Sequence, residues 1–310
     1  WIFKALNFYQ GQKIENLSQL NNSDYPHLGS FLWAFFWKLP YGTYEYLGRI
    51  FFAFIYVLSI FSFSNCLKAE GFEKVIFSIL IISLTYSYDI FSGLQDVLIF
   101  SSILFFARIS YLIFDKKNKL EDFVIFLILI SIINMLCWFK NEGVFYSIFL
   151  LISLLVNYKS SKNFKLYLIF GSFFVFLVRI VLFNYYDISL NPSYFEMEKT
   201  LFLDIALIFY KLKTITFYII IYSTQNPIFI ITLPILAYLI FKYPIQKLTS
   251  FILCFFIFNL IFIYSTYIFK MTEVELLIKA SLSRVIFQTS GFYLLIIIFY
   301  INQYMRISKK

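Results

Sequence analysis

The chain has 310 residues, is 61% hydrophobic and only 14% charged, and its mean hydropathy is +0.80. A water-soluble domain of this size cannot enclose so much apolar side chain, so most of the chain takes lipid as its solvent. The net charge of +9 comes with no basic cluster interleaved with aromatics in a polar segment, which argues against a nucleic-acid partner and assigns the excess to cytoplasmic loops.

The chain opens at Trp1 without a signal-peptide pattern, and an upstream part carrying a first membrane span is expected before it. Richness in Phe, Ile, Lys, Asn and Tyr points to an AT-rich, bacterial source. About 20 apolar residues cross a hydrocarbon core at about 1.5 Å per residue. Nine stretches qualify, at about 48–66, 74–91, 96–114, 122–139, 143–158, 164–184, 226–241, 248–269 and 285–304. With no linker, low-complexity tract or repeat, residues 1–310 read as one domain, an all-α polytopic transmembrane bundle. Cys66, Cys137 and Cys254 all sit in apolar runs and are assigned to packing.

Lysine-bearing turns set the orientation. Lys68 and Lys74 flank one turn, Lys116, Lys117 and Lys119 fill a second, and Lys159, Lys162 and Lys165 mark a third. These turns alternate along the chain, which puts all three in the cytoplasm and the turns at Asp96 and at Lys140–Glu142 on the other side. The stretch 201–223 is apolar but carries Asp204, Lys211 and Lys213. Two unpaired lysines near a helix centre would cost about 5–7 kcal/mol. If this stretch crossed, Lys242, Lys247 and the basic tail would move outside. An outer interfacial or re-entrant helix is therefore expected there.

Four polar islands interrupt the apolar runs and fall on the outer face: Asp24-Tyr25-Pro26-His27-Leu28, Ser92-Gly93-Leu94-Gln95-Asp96, Lys140-Asn141-Glu142-Gly143 and Ser281-Leu282-Ser283-Arg284. A charge at a helix centre costs about 2.5–3.5 kcal/mol on insertion scales, so charges at these positions ask for a reason. Each has a bland one. Asp24 suits a solvated loop, and Asp96 suits the positive end of a helix dipole. Lys140 can snorkel from an interfacial turn eased by Gly143, and Arg284 can snorkel likewise. The functional alternatives are a carboxylate base or acceptor ligand at Asp24 or Asp96, and phosphate binding by His27, the sole histidine, and by Lys140 and Arg284. Arg49, Arg108 and Arg179 read as structural.

In their order these islands resemble the polytopic GT-C glycosyltransferases of the protein mannosyltransferase and aminoarabinose transferase type. The matching elements are Trp1-Ile2-Phe3-Lys4-Ala5, Ser23-Asp24-Tyr25-Pro26-His27-Leu28, Gln95-Asp96-Val97, Lys140-Asn141-Glu142-Gly143 and Ser281-Leu282-Ser283-Arg284. The family's leading acidic motif would lie just before Trp1. The resemblance implies a GT-C-like bundle in a bacterial inner membrane with its active site facing outward. It implies transfer of a sugar from a polyprenyl-phosphate donor to a lipid, glycan or protein acceptor. Asp96 and Asp24 would be catalytic, Lys140, Arg284 and His27 would hold the donor phosphate, and Glu142 would support them. No cofactor is demanded, although a divalent cation is compatible with the family. The competing readings are a polytopic transporter, a flippase or a polymerase of lipid-linked glycans, and a transporter would place polar groups near the midplane on broken helices.

Overall fold

A computed structural model describes residues 2–14, 16, 26–39, 44–85, 90, 92, 94–115, 121–159, 161–188, 205–242, 246–269 and 274–307, with side chains described to residue 302. Among these residues the chain forms twelve α-helices and no strand. Two short helices open it, α1 (Ile2–Tyr9) and α2 (Leu28–Lys38). Then come α3 (Tyr46–Ser64), α4 (Gly71–Thr85), α5 (Asp96–Phe114), α6 (Asp122–Phe139), α7 (Asn141–Asn157) and α8 (Lys162–Tyr185). The last four are α9 (Ile205–Gln225), α10 (Pro227–Lys242), α11 (Lys247–Ile268) and α12 (Val274–Ile307).

Seven helices are long and apolar enough to cross a membrane: α3, α5, α6, α8, α9, α11 and the Val274–Asn302 part of α12. By length and composition the chain is a polytopic helical membrane protein. Helices α7 and α10 are apolar but shorter. The buried apolar side chains form one contiguous cluster. Its axis is α5 against α12, where Phe100 stacks on Phe287 with centroids 4.9 Å apart. Around it, Phe292 of α12 meets Phe251 and Phe255 of α11, and Tyr56 of α3 meets Phe100. Helix α8 is peripheral: Phe170, Phe173 and Phe174 are each more than 60% exposed, a row suited to contact with lipid.

The two ends of the bundle differ in chemistry. At one end Lys68 pairs with Asp115 at 2.8 Å, and Lys165 Nζ donates to the Leu155 carbonyl at 2.8 Å. Asn302 ties α12 to the same end, accepting from the Lys68 amide at 2.9 Å and donating to the Cys66 carbonyl and the Tyr111 hydroxyl. The other end holds the start of α5 and the junction of α6 with α7. The turn 116–120 and residue 24 lie outside the described residues.

Against nine expected spans, the helices at 74–91, 143–158 and 226–241 have 15, 17 and 16 residues and fall short of the seven long enough to cross, and two further places differ. Helix α12 begins at Val274, about three turns before the expected start at 285. Arg284 therefore lies inside a helix and does not open one. The second place is α9, expected at the membrane surface and, by length and composition alone, also sufficient to cross. The cost assigned to Lys211 is met by the fold, because its Nζ donates to the Ile268 carbonyl at 3.2 Å, at the negative end of the α11 dipole. Only Asn226 separates α9 from α10. Tyr218 of α9 reaches Glu275, while Phe229 and Tyr238 of α10 meet Tyr293 and Tyr300. Both helices thus run in the direction of α12, and together they make one passage along the bundle.

The α6–α7 junction is tight. Lys140 is the single residue between the two helices, extended at φ −152° and ψ 158°. One turn on, Gly143 packs so closely that a Cβ there would clash with the Leu136 carbonyl and approach Ile99 at 3.1 Å. Backbone is the obstacle, so a side chain cannot be accommodated by a rotamer change. Gly143→Ala is expected to destabilise the fold by about 1–3 kcal/mol, read by denaturant unfolding of the detergent-solubilised protein. Wild-type stability would show that the junction opens freely.

Candidate functional site

Four of the charged residues read from the sequence come together at this end. Lys140 Nζ lies 3.0 Å from Asp96 Oδ1 and 3.4 Å from Glu142 Oε1. Arg284 Nε lies 3.6 Å from Asp96 Oδ2, the other carboxylate oxygen. Two further side chains complete the group: Gln288 Nε2 donates to Asp96 Oδ1, and the Tyr146 hydroxyl donates to Gln288 Oε1 at 3.0 Å. The side chains of Lys140 and Asp96 are 2% and 5% exposed, whereas Arg284 is 41% exposed and forms the open edge of the cluster.

Helix ends favour this arrangement of charges. Asp96 starts α5 and Glu142 lies in the first turn of α7, both at positive dipole ends, and Lys140 caps the negative end of α6. The α6 terminus is also held by Arg179 of α8, whose guanidinium donates to the Cys137 carbonyl and to Asn141 Oδ1. Burial opposes the charge on Lys140, but Glu142 and Asp96 outweigh it and hold the ammonium protonated beyond the ordinary lysine range. The cluster is recessed. Helix α12 extends from Gln288 back to Val274, about 21 Å, and α8 continues about 9 Å past Arg179 to Tyr185. Asn259 of α11 bonds Thr289 at 3.1 Å, and α11 then runs on about 13 Å to Ile268.

His27 belongs to different company. It lies against Phe8 and Trp138, with ring centroids 5.9 Å and 5.5 Å away. Burial, helped by the charges of Lys4 and Arg179, lowers its pKa from 6.5 to about 4, so it is neutral at pH 7. His27 therefore brings no positive charge, and its ring neighbours Phe8 and Trp138 are not those of Asp96. Asp24 lies outside the described residues. Among the described residues no three His, Cys, Asp or Glu side chains could hold a metal ion. The two carboxylates that do converge, Asp96 and Glu142, share the Lys140 ammonium.

Gln288 and Tyr146 are absent from the sequence reading, yet helical spacing could have found them. Each lies four residues beyond a singled-out charge, Arg284 and Glu142, and so on the same face. Arg179, read as structural, holds the α6 end and also shapes the charge around His27.

The Asp96–Lys140 pair should behave as a coupled unit, because removing one partner of a buried pair strands the other charge. Lys140→Met is expected to cost about 3–5 kcal/mol, and adding Asp96→Asn should recover much of that loss. Unfolding measurements on both single variants and the double variant check this, and simply additive losses would show that the two residues are not coupled. Comparison of the chain with protein-family models, with curated proteins and with solved structures finds no match, so a functional reading rests on the chemistry of this cluster.

Proposed function

We propose that the chain is an integral membrane glycosyltransferase that moves a sugar from a polyprenyl-phosphate donor to a lipid, glycan or protein acceptor on the side opposite the lysine-bearing end. One observation carries the reading. Among the described residues, three buried atoms of the cluster have no hydrogen-bond partner, Glu142 Oε2, Arg284 Nε and Asp96 Oδ2, the last two meeting only in the 3.6 Å ion pair. An unsatisfied acceptor and an unsatisfied cationic donor side by side with a buried ion pair are costly without a ligand. Ionisable groups kept at membrane depth mark functional sites by default.

The roles follow from what each atom already does. Asp96 is engaged by Lys140, Gln288 and Arg284, and in this reading it positions the two cations and takes no proton. Among the described residues Arg284 is held only by a long ion pair, and it is partly exposed, so its guanidinium can turn to a phosphate. Glu142 offers its free oxygen to the acceptor hydroxyl. The hydroxyl oxygen attacks the anomeric carbon as its proton passes to Glu142. The bond from that carbon to the phosphate oxygen breaks, and the polyprenyl phosphate leaves with its negative charge met by Arg284 and Lys140.

A transporter or flippase has one observation in its favour, the helix break at the fully buried Asn226, whose Nδ2 has no hydrogen-bond partner. That break carries no charge, and the charged cluster lies at helix ends.

Two variants of the full-length protein test the proposal. Arg284→Ala should weaken retention of a polyprenyl-phosphate sugar by about tenfold to a hundredfold, the loss of one charge-assisted contact. Glu142→Gln should retain the donor and lose transfer. Transfer unaffected by both substitutions would reject the proposal. Vesicle uptake of the lipid-linked sugar without transfer would favour the transporter.

A further inference from the structure

A second polar site lies at the opposite end of the bundle, where α3, α4 and α5 meet in a shallow depression of about 520 Å³. Two cations line it, Arg108 from α5 and Lys74 from α4. Arg108 donates to the Ser62 hydroxyl, a neutral partner that leaves the positive charge uncompensated. Among the described residues, neither Arg108 nor Lys74 forms an ion pair, and Asp115 is engaged by another cation. Asp115 pairs with Lys68 at 2.8 Å, and Glu73 accepts from the Glu70 amide at 3.0 Å. Arg108 sits six residues before the end of a membrane-spanning helix, about 9 Å from its terminus. A charge there without an ion-pair partner is stabilised by a counter-ion from outside the chain.

The rest of the depression says which counter-ion. The side chains of Leu58, Phe61 and Val75 line its wall and are 38–45% exposed. Ser64 and the terminal turn of α3 supply further polar groups at the same level as the cations. An apolar wall continuous with the bilayer-facing surface, topped by two cations and hydroxyls, matches an amphiphile with an anionic head. Basic pockets between membrane helices bind phospholipid headgroups in this way. We propose that this depression binds an anionic glycerophospholipid of the leaflet at the lysine-bearing end. Its phosphodiester would lie between Arg108 and Lys74, and its acyl chains against Leu58, Phe61 and Val75. The site is independent of the cluster around Asp96 and of the activity proposed for it.

Native mass spectrometry of the purified full chain tests this, with phosphatidylglycerol, phosphatidylcholine of the same acyl chains and inorganic phosphate as probes. Phosphatidylglycerol should be retained at least about tenfold better than phosphatidylcholine, and inorganic phosphate should not displace it. Arg108→Gln with Lys74→Gln should abolish the preference. Gly71→Trp gives a test that keeps both cations: Gly71 lines the depression, and a Cβ there meets nothing within 4 Å, so the indole can fill the space without disturbing the core. It should lower phosphatidylglycerol retention to the phosphatidylcholine level, and it decides the question if the double variant does not fold. Wild-type retention in Gly71→Trp, or in the double variant, would overturn the proposal. Displacement by inorganic phosphate would overturn it in favour of a soluble anion.

Discussion

The ion pair between Lys140 and Asp96 is the constraint around which one end of this molecule is arranged. Each charge is nearly inaccessible, and either alone would be expensive in a lipid-surrounded bundle. Together they become tolerable because three helix ends are turned toward them. The starts of α5 and α7 face carboxylates and the end of α6 faces the ammonium. That geometry requires α6 and α7 to reverse over a single residue. The reversal in turn leaves no room for a side chain at Gly143 and leaves the last carbonyls of α6 to be met by Arg179.

Unequal helix lengths give the cluster its surroundings. The helices that meet at Lys140 and Asp96 have 17 to 19 residues, whereas α8, α11 and α12 have 24, 22 and 34. Matching the bundle at its lysine-bearing end, where Asn302 ties α12 to Cys66 and Lys68, makes the longer helices overshoot at the other. Helix α9 uses that overshoot. Its Lys211, Thr216 and Tyr218 bond to Ile268, Tyr264 and Glu275, the far ends of α11 and α12. Its path continues through Asn226 into α10. The outcome is a polar cluster set below a rim and reached past Arg284.

Much of this was legible in the residues because lipid makes charge conspicuous. Spans at 96–114 and 122–139 coincide with α5 and α6, and the starts of the others, the last excepted, shift by a turn or less, since long apolar runs bounded by lysine-bearing turns have few alternatives. Asp96, Lys140, Glu142 and Arg284 stood out for the same reason. Gln288 and Tyr146 did not, because an uncharged polar residue within an apolar run carries little hydropathy signal. The start of α12 was hidden because Glu275, Lys279 and Arg284 break the apolar run while remaining compatible with helix. Glu275 and Lys279 pair at 2.8 Å across one turn. The placement of 201–223 depended on a lysine whose carbonyl partner lies 57 residues away, which no local rule could supply. The charge state of His27 was not legible for a related reason: it is set by burial, Lys4 and Arg179, all properties of the fold.

The claim that ties fold to function is that the Asp96–Lys140 cluster and the lysine-bearing turns face opposite compartments. Single cysteines placed at positions 142 and 118 of a cysteine-free background, probed with a membrane-impermeant thiol reagent in intact cells and in inverted vesicles, measure this directly. The account predicts that position 142 reacts from outside the cell and position 118 only in inverted vesicles. Labelling of both positions from the same side would contradict it.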